Sequence, residues 1–211
     1  MINPATAALV VIDMQHGFVD PNSALCVAGA ASTVPACARA LERARDLGMP
    51  VFHAVREYAA DGSDVEATRR ASWEAGGKPL SPTCADTHSR DEMEPLAPRG
   101  DERVLVKPRF SAFFGTQLDL VLRRLGVGTV VLMGTTTPNC IRTTCYDALS
   151  LDYNVVLLED CTSSRTPAVQ AANIEDMAFI GAHIMTCDDF CAQGLASVPD
   201  VVGNAREACR R

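Results

Sequence analysis

The sequence predicts an α/β fold of three layers, α/β/α, around a mostly parallel six-stranded sheet. Three observations carry that expectation. Six short apolar runs alternate with helix-compatible segments along the 211 residues, the order of strands joined by crossover helices. Several runs are apolar throughout rather than at every second position, which suits strands covered on both faces. One of them starts at Thr129, passes through Gly134 and three threonines, and feeds directly into a helix opened by Cys140.

The first strand is read over residues 8–13, ALVVID, and ends in the carboxylate of Asp13. Residues 14–21 read as a loop, with Gly17 and Pro21 as breakers. A helix is expected over about 32–47, with Val34, Ala38, Leu41 and Leu47 inward and Gly48 as its stop. The second strand is 51–55. Residues 56–99 are irregular and rich in Gly and Pro, with one short helix expected over about 65–73. An insertion of that length is usually a lid or a binding loop, and its Tyr58 and Trp73 are candidates either to wall a pocket or to anchor the loop. The third strand, 103–106, ends at Lys107, and a helix over about 114–125 follows. After the strand from Thr129 and a helix over 140–151 come a strand at 154–158, a polar loop at 162–166, a helix over 167–179 and a strand at 183–186. Beyond residue 188 one short helix and a solvated end are expected. No internal repeat or linker divides the chain, which reads as a single domain over 1–211.

Composition narrows the function. A net charge of −7 with no basic block argues against nucleic acid or an acidic membrane surface as partner. No apolar stretch is long enough for a membrane span, and the N-terminal segment has no secretory pattern, so a cytoplasmic location is expected. Nine cysteines, an odd number scattered through a chain that needs no staples, suggest reduced thiols. No metal is expected, since zinc-site spacing, H-x-H and H-E-x-x-H are all missing from the sequence. The dinucleotide fingerprint, the P-loop and the G-x-S-x-G elbow are missing too, so no cofactor is assigned.

The chemistry is expected at the carboxyl ends of the strands, where open parallel sheets bind ligands. Asp13 closes the first strand, Lys107 closes the third, and Cys140 follows the fourth. Cys140 sits off the apolar stripe of its helix, at the end where free N–H groups and the positive end of the dipole lower a thiol's pKa. A carboxylate beside a thiol can take its proton and return it to a leaving group, while an ammonium steadies both charges. Backbone N–H groups in the 135–140 turn can bind an oxyanion. Gln15 and Phe18, close behind Asp13, and Tyr58 are candidates to touch or shield substrate. Arg56 and Arg109, just past the second and third strands, are candidates to clamp a substrate carboxylate. His53, inside a strand, reads as a satisfied core histidine.

These residues together resemble the isochorismatase-like cysteine hydrolases. The resemblance rests on D-x-Q-x-x-F (Asp13, Gln15, Phe18), on Lys107 followed by Phe110, Ser111 and Phe113, and above all on Gly134–Ala148, GTTTPNCIRTTCYDA. It implies a triad of Asp13, Lys107 and Cys140, a cis peptide at Thr135-Thr136, and an oxyanion hole from the N–H groups of Thr136 and Cys140. It also implies a homodimer or homotetramer acting on a small amide, N-carbamoyl or ureido compound, or lactam. The nicotinamidase branch carries a metal-binding D-x-H after the second strand, where this chain has HAVREY (His53–Tyr58) and departs from it. A catalytically silent small-molecule-binding member of the same fold is the alternative.

Overall fold

A computed structural model describes residues 1–210. Six strands, β1 (Ala7–Ile12), β2 (Val51–Val55), β3 (Arg103–Val106), β4 (Thr129–Thr135), β5 (Asn154–Ser163) and β6 (His183–Met185), form one sheet in the order β3-β2-β1-β4-β5-β6. Every pairing is parallel, so the sheet is wholly rather than mostly so. Chain order reverses direction at β1, which places β1 and β4 at the switch point where ligands enter such sheets.

Eight helices accompany the sheet: α1 (His16–Val19), α2 (Ala30–Asp46), α3 (Arg70–Ala75), α4 (Leu118–Arg124), α5 (Arg142–Ser150), α6 (Pro167–Phe179), α7 (Cys187–Gln193) and α8 (Val201–Ala208). β1 shows why there are three layers. Leu9 and Val11 point into a core shared with Leu41 of α2 and Phe190 of α7. Val10 and Ile12 point the other way, into a core with Leu122 of α4, Cys145 of α5 and Met177 of α6. Each side chain is excluded from water, which is why the run carries no polar alternation. Among the described residues no helix is long and apolar enough to cross a membrane.

Several boundaries differ from the sequence reading, each for a local reason. β5 runs on to Ser163 because, after a register shift between Leu132 and Gly134, it pairs again with β4 through Gly134↔Thr162 and Thr135↔Ser163. The hydroxyls that suggested a loop are bonded there: Ser163 Oγ lies 2.9 Å from Thr135 Oγ1. The helix expected over 140–151 begins as a wide π-helical turn, Thr137–Ile141, before α5. The helix expected over 114–125 shortens to α4, since Gly115 takes a left-handed φ of +67°. The short helix of the insertion lies at 70–75 instead of 65–73. Residues 16–19, read as loop, form α1. The tail holds two helices, each with a capped start: Thr186 accepts from the Asp189 N–H, and Asp200 from that of Gly203.

Gly134 is where β4 crosses the end of β1. Its φ is +117°, and a Cβ there would overlap the Ile12 carbonyl oxygen and stand 2.8 Å from the Ile12 nitrogen. Gly48 also has a positive φ, +65°, but open space around it. Gly134→Ala should therefore lower the unfolding free energy by about 2–4 kcal/mol, and Gly48→Ala by only about 1–2 kcal/mol. Urea denaturation of both variants measures the difference, and equal losses would contradict the close approach.

Candidate active site

Three strand ends deliver the central residues. Asp13 follows β1 in a left-handed turn (φ +52°), a conformation Asp tolerates better than most residues. Its N–H still bonds the Ala54 carbonyl of β2. The N–H of Lys107, just past β3, likewise bonds the Val55 carbonyl. β2 thus ties both residues to the same rim. Cys140 lies inside the π-helical turn after β4, and Thr144 Oγ1 donates to its carbonyl at 2.6 Å. The same Oγ1 accepts from the Ala112 N–H, which fastens the cysteine's turn to the loop after β3.

The side chains converge. Lys107 Nζ lies 2.7 Å from Asp13 Oδ2 and 3.5 Å from Cys140 Sγ, and donates to the Arg109 carbonyl at 3.3 Å. Lys107 and Asp13 are buried at 0 % and 1 % exposure. The ammonium holds the carboxylate by charge at that distance. Burial pushes the Cys140 thiol up to about 11; the Asp13 carboxylate adds to the rise, and Lys107 and Arg56 oppose it. The lowered pKa expected from a helix end is therefore corrected: loss of water and a neighbouring carboxylate push the thiol the other way. The position is corrected as well, because Cys140 packs with Ile141 and Cys145 in the core on that face.

Cys140 nonetheless opens onto a cavity of about 420 Å³, whose wall includes Phe18, Leu25, Pro138, Thr136, Arg56 and Asn139. Arg69 and Arg165 also line it, and neither has an acidic partner among the described residues. The peptide between Thr135 and Thr136 is cis, and Thr136 Oγ1 and Thr137 Oγ1 both donate to the Ser163 carbonyl.

Of the other sequence candidates, Phe18 and Arg56 reach the cavity and three do not. Gln15 is fully buried; its Nε2 donates to the carbonyls of Arg56 and Arg90, and its Oε1 accepts from the Arg56 N–H. It joins backbone segments, with both of its N–H donors spent on them. Tyr58 packs edge-on against Trp73 and donates its hydroxyl proton to Glu66. Arg109 donates to the carbonyls of Asp64 and Pro108, away from the cavity. Trp73 anchors the insertion, donating to the Pro79 carbonyl. His53 is buried between Glu92 and Glu102, with ring nitrogens 2.8 and 3.2 Å from their carboxylates. Among the described residues no cluster of three or more His, Cys, Asp or Glu is placed to hold a metal.

The sequence reading missed Arg69, Arg165 and Glu66. Arg165 had a signal only if β5 was known to run to Ser163, which makes it one more cation beyond a strand end. Arg69 and Glu66 had none, since both lie deep in the irregular insertion.

The chain is similar to known proteins along most of its length. The family model described as the Isochorismatase domain matches residues 7–189. The chain is 40% identical over 185 residues to a probable inactive nicotinamidase of Arabidopsis thaliana, covering 87% of this chain and 93% of that one. It is 33% identical over 208 residues to a ureidoacrylate amidohydrolase, RutB, of Caulobacter segnis, covering 90% of this chain and 86% of that one. A crystal structure of an isochorismatase family protein from Desulfovibrio vulgaris superposes with a TM-score of 0.84 at 45% identity, covering 90% of this chain and 98% of that one.

The charges around Cys140 predict how its reactivity responds to substitution. Asp13→Asn removes the carboxylate that disfavours the thiolate, so the pH of half-maximal alkylation of Cys140 by iodoacetamide should fall by about one unit or more. Lys107→Met should raise it. Peptide mass spectrometry reads Cys140 apart from the other eight cysteines, and an unmoved midpoint in both variants would refute the coupling.

Proposed function

The chain belongs to the isochorismatase family, and on that footing we propose that it is a hydrolase of carbon–nitrogen bonds other than peptide bonds, working through a thioester on Cys140. The substrate is a small amide, an N-carbamoyl or ureido compound, or a lactam. The observation that carries this reading is the single ammonium of Lys107, 2.7 Å from the Asp13 carboxylate and 3.5 Å from the Cys140 sulfur.

As substrate enters, Asp13 takes the thiol proton and the sulfur attacks the carbonyl carbon. The N–H groups of Thr136 and Cys140 receive the oxyanion. Asp13 returns the proton to the departing nitrogen, and the C–N bond breaks to release ammonia or an amine, or in a lactam to open the ring with the amine left on the acyl chain. Water, deprotonated by Asp13, then cleaves the thioester to the acid and restores the thiol. Burial and the Asp13 carboxylate, which push the Cys140 thiol up, favour its protonated form before substrate arrives, and a thiolate of raised pKa is the more nucleophilic once formed. Lys107 balances the negative charge as it moves between Asp13 and the sulfur.

The substrate carries a carboxylate. Arg69 and Arg165 on the cavity wall support this, as cations with no acidic partner of their own among the described residues. The name of the Caulobacter relative, which denotes an acid with a ureido group, agrees. Assembly as a homodimer or homotetramer and a cytoplasmic location belong to the same proposal.

A second reading is favoured by one observation: the 40% identical Arabidopsis protein is named a probable inactive nicotinamidase. On that reading the cavity binds a small molecule without turning it over.

Product formation across a panel of small amides, ureides and lactams decides between them, followed as ammonia release for the amides and ureides and as ring opening by mass spectrometry for the lactams, with Cys140→Ala as control. Turnover of at least one compound should fall roughly 10³-fold or more in that variant. Wild-type-like activity without the thiol would overturn the thioester route, and no turnover across the panel would favour the binding reading. For a carboxylated substrate, Arg69→Ala and Arg165→Ala should each raise KM about tenfold with kcat little changed. Steady-state kinetics reads this, and unchanged KM in both variants would remove the carboxylate from the proposal.

A further inference from the structure

We propose that Arg56 is a second fixed positive charge serving the Cys140 thiolate, and that Glu66 and Tyr58 are positioning residues which hold its guanidinium for that role. The inference rests on the nucleophilic thiol of the proposed function and adds to it a cation that the triad leaves out.

Arg56 is held at its backbone and at one end of its guanidinium. Gln15, two residues after Asp13, grips its backbone with two hydrogen bonds, 2.7 Å at the N–H and 2.9 Å at the carbonyl. The guanidinium is 1 % exposed; its Nη1 donates to Glu66 Oε1 and, at 3.1 Å, to the Tyr58 hydroxyl. That hydroxyl donates in turn to Glu66 Oε2 at 2.7 Å, closing a three-membered ring of contacts. The rings of Tyr58 and Phe110 flank the guanidinium at 5.6 and 5.7 Å. A side chain held this way cannot swing to meet a ligand, unlike Arg69 and Arg165.

Arg56 lines the same cavity as Cys140, and its Nε is buried without a partner. Burial opposes the charge on Arg56, yet Asp13, Tyr58, Cys140 and Glu66 hold its pKa above the ordinary guanidinium value. Burial likewise disfavours the Glu66 carboxylate, while Arg56 and the Tyr58 hydroxyl keep its pKa low. The charged groups facing Cys140 are thus Asp13 after β1, Arg56 after β2 and Lys107 after β3, with Arg69 and Arg165 on the cavity wall. When Asp13 is ionised, Lys107 is largely committed to it, and the second cation favours the charge that develops on sulfur.

The test compares Glu66→Gln with the double variant Arg56→Met/Glu66→Gln, which strands no buried carboxylate and so leaves folding the least disturbed. Iodoacetamide, an uncharged probe, reports the pH of half-maximal labelling of Cys140 by peptide mass spectrometry. The midpoint in the double variant should lie about one unit above that of Glu66→Gln. Its kcat for the best panel substrate should be about tenfold lower, with KM within about twofold. Equal midpoints, or a raised KM at an unchanged midpoint, would overturn the inference, the second result making Arg56 a substrate ligand. Should the double variant fail to fold, Tyr58→Phe removes one hydroxyl and no charge. It should slow labelling at a pH below the midpoint by about twofold or more, and an equal rate would overturn the positioning role. Cys140→Ala separates the two levels: if it stays active the thiol chemistry itself is wrong, whereas an inactive Cys140→Ala with equal labelling midpoints removes only Arg56.

Discussion

An ammonium and a carboxylate, both shut away from water, meet 2.7 Å apart at the rim of the sheet. Much of the local structure follows from that pair. Desolvating two charges is costly, and the mutual attraction repays it only where the backbone holds both groups at short range. Here β2 supplies the rigidity, since Asp13 and Lys107 each continue its ladder for one residue, through the Ala54 and Val55 carbonyls. The left-handed turn at Asp13 and the Cβ-free position at Gly134 belong to the same construction. Together they bring the end of β1 and the end of β4 close enough for one lysine to reach both a carboxylate and a sulfur. Breaking such a buried pair from one side typically costs about 3–5 kcal/mol, so the polar centre is also a part of the fold's stability.

Asp13, Lys107 and Cys140 were legible in the sequence because each follows an apolar run, and a parallel sheet carries all such ends to one edge. Burial of the runs on both faces erased any alternation and made the strands easy to find. The rest was hidden where polar side chains are used by the backbone. Thr162 and Ser163 read as a loop, yet they pair with Gly134 and Thr135 across a bulge; with them went the signal that Arg165 stands beyond a strand end. Sequence position also placed Gln15, Tyr58 and Arg109 near the rim correctly, but could not say where their hydrogen bonds go. Gln15 joins two segments, Tyr58 supports Glu66, and Arg109 caps the carbonyls of Asp64 and Pro108. The Cys140 thiol was misjudged for a related reason, because a dipole's direction is visible in sequence and the loss of water is not.

The insertion at 56–99 shows how an irregular segment can still be a firm wall. Tyr58, Val65, Trp73 and Leu80 form a small core of their own together with Phe18. The Gln15–Glu92 bridge and the Gln15 bond to the Arg90 carbonyl tie the far end of the segment back to the turn after β1. Arg56 and Arg69 therefore enter the cavity from a backbone held at both ends. A lid needs few buried apolar contacts and free backbone groups, and this segment has the opposite character around the residues it contributes.

The charge balance around the sulfur then explains why burial and reactivity are compatible. Removing water raises the cost of a thiolate, but it also strengthens every fixed charge that remains. On the proposed route Asp13 opposes the thiolate only while it is itself ionised; once it holds the thiol proton, its negative charge has moved to sulfur rather than been added. Lys107 touches both positions, so it has nothing to reorganise as the charge shifts from one to the other. A thiol lowered permanently by nearby cations would be exposed to oxidation and less nucleophilic once ionised. On the proposed thioester route, a buried thiol with a carboxylate at hand and its cations already in place gives up its proton only as the carbonyl is attacked.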